Sequence, residues 1–386
     1  MSNYKRLLYI RSAPYKVNIN GYNLQEIGFC KSLCKYGYQC DIVYYSNENK
    51  DEVIYSEQNG GIRLLWRKGI RLLRSGVYPK LLKKDFLNQY DLVILTEYDQ
   101  IMTYLISKYT NKSVLYSGPY YNLFKIPFVE PIYCRLFNKS INRNIHIKFA
   151  KSQLSKNYLE ERKFKNVQVL GVALDDSKFS LTKKEDYNEN HKVESILEFM
   201  NEDTILYVGT IDKRKNTEFI LRIFNKLKKK KESFRLVIIG KGSKSYTRRC
   251  FSMVEDRYKK DIMHVEFVKN GYLGDIYNKA KIFLLPSRQE IFGMVLLEAM
   301  YFGVPSISSC NGGSMTLIDN NVDGIVIDNF QEDIWIEEIM KLDRDDNLYN
   351  NISKNAMKKI RNNFLWDKIA DKFIKSLSNM NEYYNV

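Results

Sequence analysis

The stretch LLPSRQEIFGMVLLEAMYFGVP, residues 284–305, decides how the chain folds. An apolar strand ends at Pro286-Ser287, and a short loop carries Glu290. A helix starts near Phe292–Gly293, presents Glu298 about two turns later and stops at Gly303, with Pro305 beyond it. The amides of Phe292, Gly293 and Met294 stand at the helix start, where N–H groups lack intrahelical partners. Gly293 admits close approach, so this is a ready anion site. Glu298 follows Glu290 by eight positions. At about 100° per residue that places it about 80° beyond two full turns, so both carboxylates can border one ligand. Carboxylates flanking a phosphate site suit a ligand that carries hydroxyls as well as phosphates. The same letters also fit a loop acid followed by an ordinary helix acid.

The surroundings alternate strand and helix. In the first half, strands are expected at 5–10, 40–46, 91–98, 113–120, 145–152 and 166–174, with helices at 22–37 and 99–109. The segment 175–203 is polar and aperiodic and reads as a linker. The alternation then restarts: strands at 203–209, 234–242, 264–268, 282–287 and 305–309, and an amphipathic helix at 216–230. Repeated strand–helix–strand units predict parallel, doubly wound α/β sheets. The halves form two domains, and ligands in such sheets sit at the carboxyl ends of strands.

With 386 residues, 44% of them hydrophobic, the chain can build sizeable cores. No apolar run approaches the ~18–20 residues of a membrane span, and the N-terminus shows no signal peptide, which predicts a cytoplasmic protein. The six cysteines and three histidines are scattered, which argues against a zinc site. Residues 1–175 hold 27 Lys and Arg against 14 Asp and Glu, a balance of +13 in a chain of net charge +16. A single-sign surface favours anionic partners. The segment 61–84 holds eight cations and no acid. It reads either as a strand followed by an ordinary helix or as a basic amphipathic segment lying on an anionic membrane.

Taken together, Pro286, Ser287, Glu290, Phe292, Gly293, Glu298, Ala299, Met300, Gly303 and Pro305 closely resemble the signature of retaining glycosyltransferases of GT-B architecture, family 4 (group 1). LYVGTIDKRKN (206–216), IIGKG (238–242), NGGSMTLIDNNVDG (311–324), LGVALDDSKF (170–179) and FLWDKIADKF (364–373) resemble further parts of that family. The resemblance is specific over 204–324 and diffuse before 150. It implies two Rossmann-like domains facing across a cleft: 1–175 on the acceptor side, 176–363 for the donor, and a C-terminal helix, 364–386, crossing back onto the first.

The resemblance also implies roles. Glu290 would bond hydroxyls of the donor sugar and Glu298 the ribose diol. Lys215 would neutralise the leaving diphosphate, and the amides of Phe292, Gly293 and Met294 would support sugar and phosphate. Gly21 would let backbone approach the phosphates. Two departures stand out. Thr210 occupies a place where the family has Arg, for which Arg214 or Lys213 could substitute. Ser117-Gly118 replaces a His-Gly, leaving Tyr120, Tyr121 or Asn122 to fill the space of a sugar-contacting His. The implied reaction is metal-independent transfer of a sugar, with retention, from a UDP-linked donor to a hydroxyl of a lipid-linked or anionic glycan, as in capsule or other surface polysaccharide synthesis. No cofactor beyond the nucleotide sugar is implied. The basic first half adds a peripheral position on the inner face of the cell membrane. A non-catalytic GT-B subunit and a nucleic-acid-modifying glucosyltransferase are the alternatives.

Overall fold

The computed structural model describes residues 4–19, 24–57, 60–179 and 187–384. They fall into two compact units, Met1–Ala173 with Trp366–Val386, and Leu174–Leu365.

The first unit is built on an eight-stranded sheet. Its order is Val167–Val169, Ile147–Ala150, Ser113–Ser117, Leu92–Thr96, Lys5–Ile10, Tyr38–Ser46, Gly60–Lys68 and Lys50–Glu57. All pairings are parallel except the last, an antiparallel edge. The central strands are near-continuous apolar runs because helices cover both faces. On one face the helix Gln25–Cys34 meets the C-terminal helix Trp366–Tyr384. Phe29 packs against Trp366 at 5.6 Å and Phe373 at 5.1 Å between ring centroids. Asp367 accepts from Ser32 Oγ at 2.8 Å and from Lys35 Nζ at 2.7 Å.

Two expectations change here. The segment 61–84 forms no amphipathic helix. After the strand Gly60–Lys68 comes a tight hairpin, Ile70–Leu72 against Ser75–Val77, with Leu73 at φ 54° in its turn. A 3-10 turn, Pro79–Leu81, and a single helical turn, Lys84–Leu87, complete it. Gly69, Ser75-Gly76 and Pro79 break the helix that the Leu and Arg spacing suggested. The polar linker is shorter than expected, because Tyr187–Phe199 is helical. Val193 and Ile196 are its buried apolar positions, and Met200 just past its end is buried as well.

The second unit is a six-stranded, all-parallel sheet in the order Ile262–Val265, Arg235–Ile239, Thr204–Val208, Ile282–Leu285, Ser306–Ser309 and Ile325–Ile327. The chain starts in the middle, winds one way, then returns to wind the other. The reversal falls between Thr204–Val208 and Ile282–Leu285, and the loops after these two strands part there, as in other doubly wound sheets. The helix Thr217–Lys230 buries Phe219, Ile220, Ile223, Phe224 and Leu227. Phe219 meets Trp335 edge-on at 5.3 Å. Burying each such large apolar side chain contributes about 1.5–3 kcal/mol.

Candidate active site

The loop after Thr204–Val208 is folded by its own Asp212. One carboxylate oxygen accepts from the Lys215 amide at 2.7 Å, the other from Thr210 Oγ at 2.7 Å. Asn216, at φ 58°, then turns the chain into the helix Thr217–Lys230. An Asp three residues before Lys215 and an Asn after it thus hold that lysine at the switch point. The loop after Ile282–Leu285 is laced to it: the Arg288 amide donates to Arg214 O at 2.8 Å, and Arg214 Nη1 donates to Gln289 O at 2.9 Å.

Lys215 Nζ bonds Glu290 Oε2, and Arg214 Nη1 lies 3.6 Å from the same oxygen. The lysine side chain is 10% exposed and the glutamate 16%, so the pair is largely withdrawn from water while keeping an open edge. Of the two cations considered in place of the missing Arg, it is Arg214 that reaches the carboxylate; Thr210 is tied to Asp212.

Gly293, at φ 77°, caps the helix Met294–Tyr301 in the left-handed region that favours glycine. Leu296 and Leu297 donate to Gly293 O. The earlier amides of Phe292, Gly293 and Met294 bond no backbone carbonyl among the described residues. Beneath them lies the 311–324 loop, quoted above for its resemblance, in which the role of Asn311 was not foreseen. Asn311 Oδ1 accepts from the amides of Gly313 at 2.9 Å and Ser314 at 3.1 Å, and the Gly312 amide donates to Glu290 O at 2.9 Å. This buried asparagine fixes the floor under Glu290.

Glu298 takes a different place. Its side chain is fully buried: Oε2 accepts from Tyr277 Oη at 3.0 Å, and Oε1 has no partner among the described residues. The two glutamates therefore occupy separate surroundings, one in an ion pair and one inside the protein. Burial pushes the Glu298 carboxyl well above the usual carboxylate range. The folded state then keeps a proton that the unfolded chain loses, so this group weakens the fold as pH rises through and beyond the ordinary carboxylate pKa. Glu298→Gln removes that dependence. Its melting temperature is expected to exceed that of the wild type by a margin that widens from pH 5 to pH 8. A constant margin would show Glu298 is not the source.

In the first unit, Tyr120 and Tyr121 meet edge to face at 5.0 Å, and Asn122 is spent on its own loop, donating to Pro127 O at 2.9 Å. Gly21 lies outside the described residues. The reading also missed Glu97, at φ 62° just past the strand Leu92–Thr96. It accepts from the Gly118 amide at 2.8 Å and from Lys151 Nζ at 3.2 Å. A polar left-handed residue is invisible in a strand-like run such as DLVILTEY. The single Asp-x-Asp spacing in the chain, Asp343-x-Asp345, is used structurally: Asp343 pairs with Lys231 and Lys281, and Asp345 caps a helix through the Leu348 amide.

Known proteins resemble this chain in sequence over the second unit and in fold over nearly its whole length. Residues 188–359 match the family model of glycosyl transferases group 1. A probable sucrose-phosphate synthase of Thermosipho melanesiensis is 29% identical over 182 residues, 46% of this chain and 41% of that protein. An uncharacterized glycosyltransferase of Methanocaldococcus jannaschii is 30% identical over 171 residues, 44% of this chain and 43% of that one. The chain thus aligns with less than half the length of these curated relatives. Among solved structures, a sucrose-phosphate synthase of Thermosynechococcus elongatus superposes with a TM-score of 0.72 at 16% identity, covering 98% of this chain and all of that one. The Anabaena protein HepE, in complex with UDP, does so at 0.71 and 13%, covering 97% of this chain and all of that one. At such identities the likeness shows a shared GT-B fold. Residues 188–359 are thus similar to the glycosyl transferases of group 1.

Proposed function

We propose that the chain transfers a sugar, with retention, from a UDP-linked donor to a hydroxyl group. The observation that carries this reading is the Lys215–Glu290 pair, with Arg214 beside it, at the switch point of the second sheet. A diphosphate leaving group needs fixed positive charge where its own charge develops, and a sugar needs an acceptor for its hydroxyls. Lys215 and Arg214 supply the first, and Glu290 the second once substrate loosens the ion pair. The amides of Phe292, Gly293 and Met294 bond sugar and phosphate oxygens. The unpaired Oε1 of Glu298 takes the ribose diol after a side-chain rotation. The acceptor attacks the face from which the diphosphate departs. The protein contributes position and preorganised charge, and none of these roles calls on a metal.

The basic first half supports an anionic acceptor. The reading preferred here is a glycan, lipid-linked or anionic, in surface polysaccharide synthesis. A soluble sugar phosphate is the second reading, favoured by the sucrose-phosphate and mannosylfructose-phosphate synthases among the relatives. Transfer assays with hexose phosphates and with polyprenyl-linked glycans separate them.

The donor is tested by melting the chain with nucleoside diphosphates and nucleotide sugars. A ligand at 100 times its Kd adds about 2.7 kcal/mol to stability, a shift of several degrees for domains of this size. UDP and one UDP-sugar are expected to give that shift, with less in Glu298→Gln. No shift with any nucleotide would overturn the reading in favour of a non-catalytic subunit.

A further inference from the structure

We infer that the first unit docks on an anionic lipid bilayer through the segment 125–144. The chain there forms one continuous helix, Val129–Tyr133, Cys134–Asn138 with a wider π turn, and Lys139–Asn144. Its inner face is settled. Tyr133 and Ile141 are buried. Glu130 accepts from Tyr98, from Tyr158 at 2.6 Å and from Arg162 at 2.9 Å.

The outer face is unusual. Phe128, Ile132 and Leu136, four residues apart, are 65%, 53% and 62% exposed. A row of large apolar side chains on a surface marks an interaction site. The neighbouring hairpin adds exposed Ile70, Leu72 and Leu73. The hairpin is fixed beside the helix because Arg74 Nη1 donates to Leu123 O at 2.9 Å and Val77 packs with Phe124 and Tyr133.

Charge selects the occupant. Between Asp99 and Glu160 the chain carries nine Lys and Arg and one acid, the buried Glu130. Arg135, Lys139 and Arg143 are exposed at four-residue spacing beside the apolar row. Arg143 also lines a groove of about 450 Å³ with Lys84, Lys108 and Lys112, and no acid lines it. An apolar stripe edged by cations alone matches acyl chains below and phosphates around them. A second copy of the chain fits poorly, because a two-fold pairing of this face would set cations against cations. The basic segment 61–84 thus contributes its hairpin to this surface, while the helix that carries it lies elsewhere.

The full chain is to be sedimented with vesicles of phosphatidylglycerol and phosphatidylcholine, and with phosphatidylcholine alone, at 50 and 500 mM salt. Binding is expected to the anionic vesicles and to weaken with salt. The variant Phe128→Ser/Ile132→Ser/Leu136→Ser removes only exposed groups, so its melting temperature should hold while partitioning falls at least about tenfold. Arg135→Gln/Lys139→Gln/Arg143→Gln should lower it about a hundredfold at low salt. Absence of wild-type binding at 50 mM salt overturns the inference. So does a serine variant that binds like wild type, which would leave only net charge. A wild-type dimer that the serine variant dissociates, without vesicle binding, would assign the face to self-association. None of these results bears on sugar transfer by the second unit.

Discussion

Glu290→Gln is expected to reduce UDP release from the nucleotide sugar by about 10²–10³-fold while leaving the fold intact. The carboxylate holds two cations, and its loss both frees Lys215 from its set position and removes the hydroxyl acceptor. Removing one preorganised polar partner of a transition state typically costs about 10²–10³-fold. Gln preserves the shape and a hydrogen-bond acceptor, which limits the penalty of stranding the largely buried Lys215 charge. Lys215→Ala should cost a similar factor. The two act on one charge distribution, so the double variant should lose less than about tenfold beyond the worse single variant. Activity of Glu290→Gln within threefold of wild type would remove the pair from the mechanism. Additive losses would mean that the two residues act on separate steps.

Gly240→Ala should unfold the second unit or lower its melting temperature by about 10 °C, from a cost of about 3 kcal/mol or more. The loop after Thr204–Val208 crosses the strand end at Gly240, and a methyl group there would stand 1.8 Å from Gly209 O. That oxygen is backbone between central strands, so no side-chain rotation relieves the clash. Gly37→Ala provides the contrast. Its methyl meets nothing within 4 Å, and only its φ of 79° opposes the change, a cost of about 1–2 kcal/mol. If both variants melt alike, close packing at the strand end is not what holds the switch point.

The letters of 284–305 were legible because their signals are local. A strand end, a glycine at a left-handed cap and a helix stop can each be read within a few residues. The turn that presents Lys215 is local too, through Asp212 and Asn216. What the sequence concealed depends on distance in space. Glu298 reads as a helix acid, but nothing near it in the chain shows that Tyr277, twenty-one positions earlier, bonds it in the interior. Asn311 gains its meaning only because its loop lies beneath Glu290. In the first unit, counting cations over 61–84 overweighted charge and underweighted Gly69, Ser75-Gly76 and Pro79, which turn the chain into a hairpin. The helix over 129–144 escaped notice because its turn-like start, Lys125 to Phe128, and its Pro131 mask a periodicity that becomes plain once Glu130 and Tyr133 are seen facing inward.

The first unit is not contiguous along the chain: its last helix, from Trp366, follows the whole of the second unit. The second unit leaves and returns at neighbouring points, where the Leu174 amide donates to Phe364 O at 2.8 Å. During synthesis this inverts the usual order. Domains ordinarily mature from the N-terminus as they emerge. Here the sheet of the first unit must wait, with Phe29 uncovered, until Trp366 and Phe373 leave the ribosome. The unbroken second unit can complete its core first. A chain halted near residue 365 would therefore hold a finished second unit tied to a first unit with an open apolar face, a species suited to capture by chaperones.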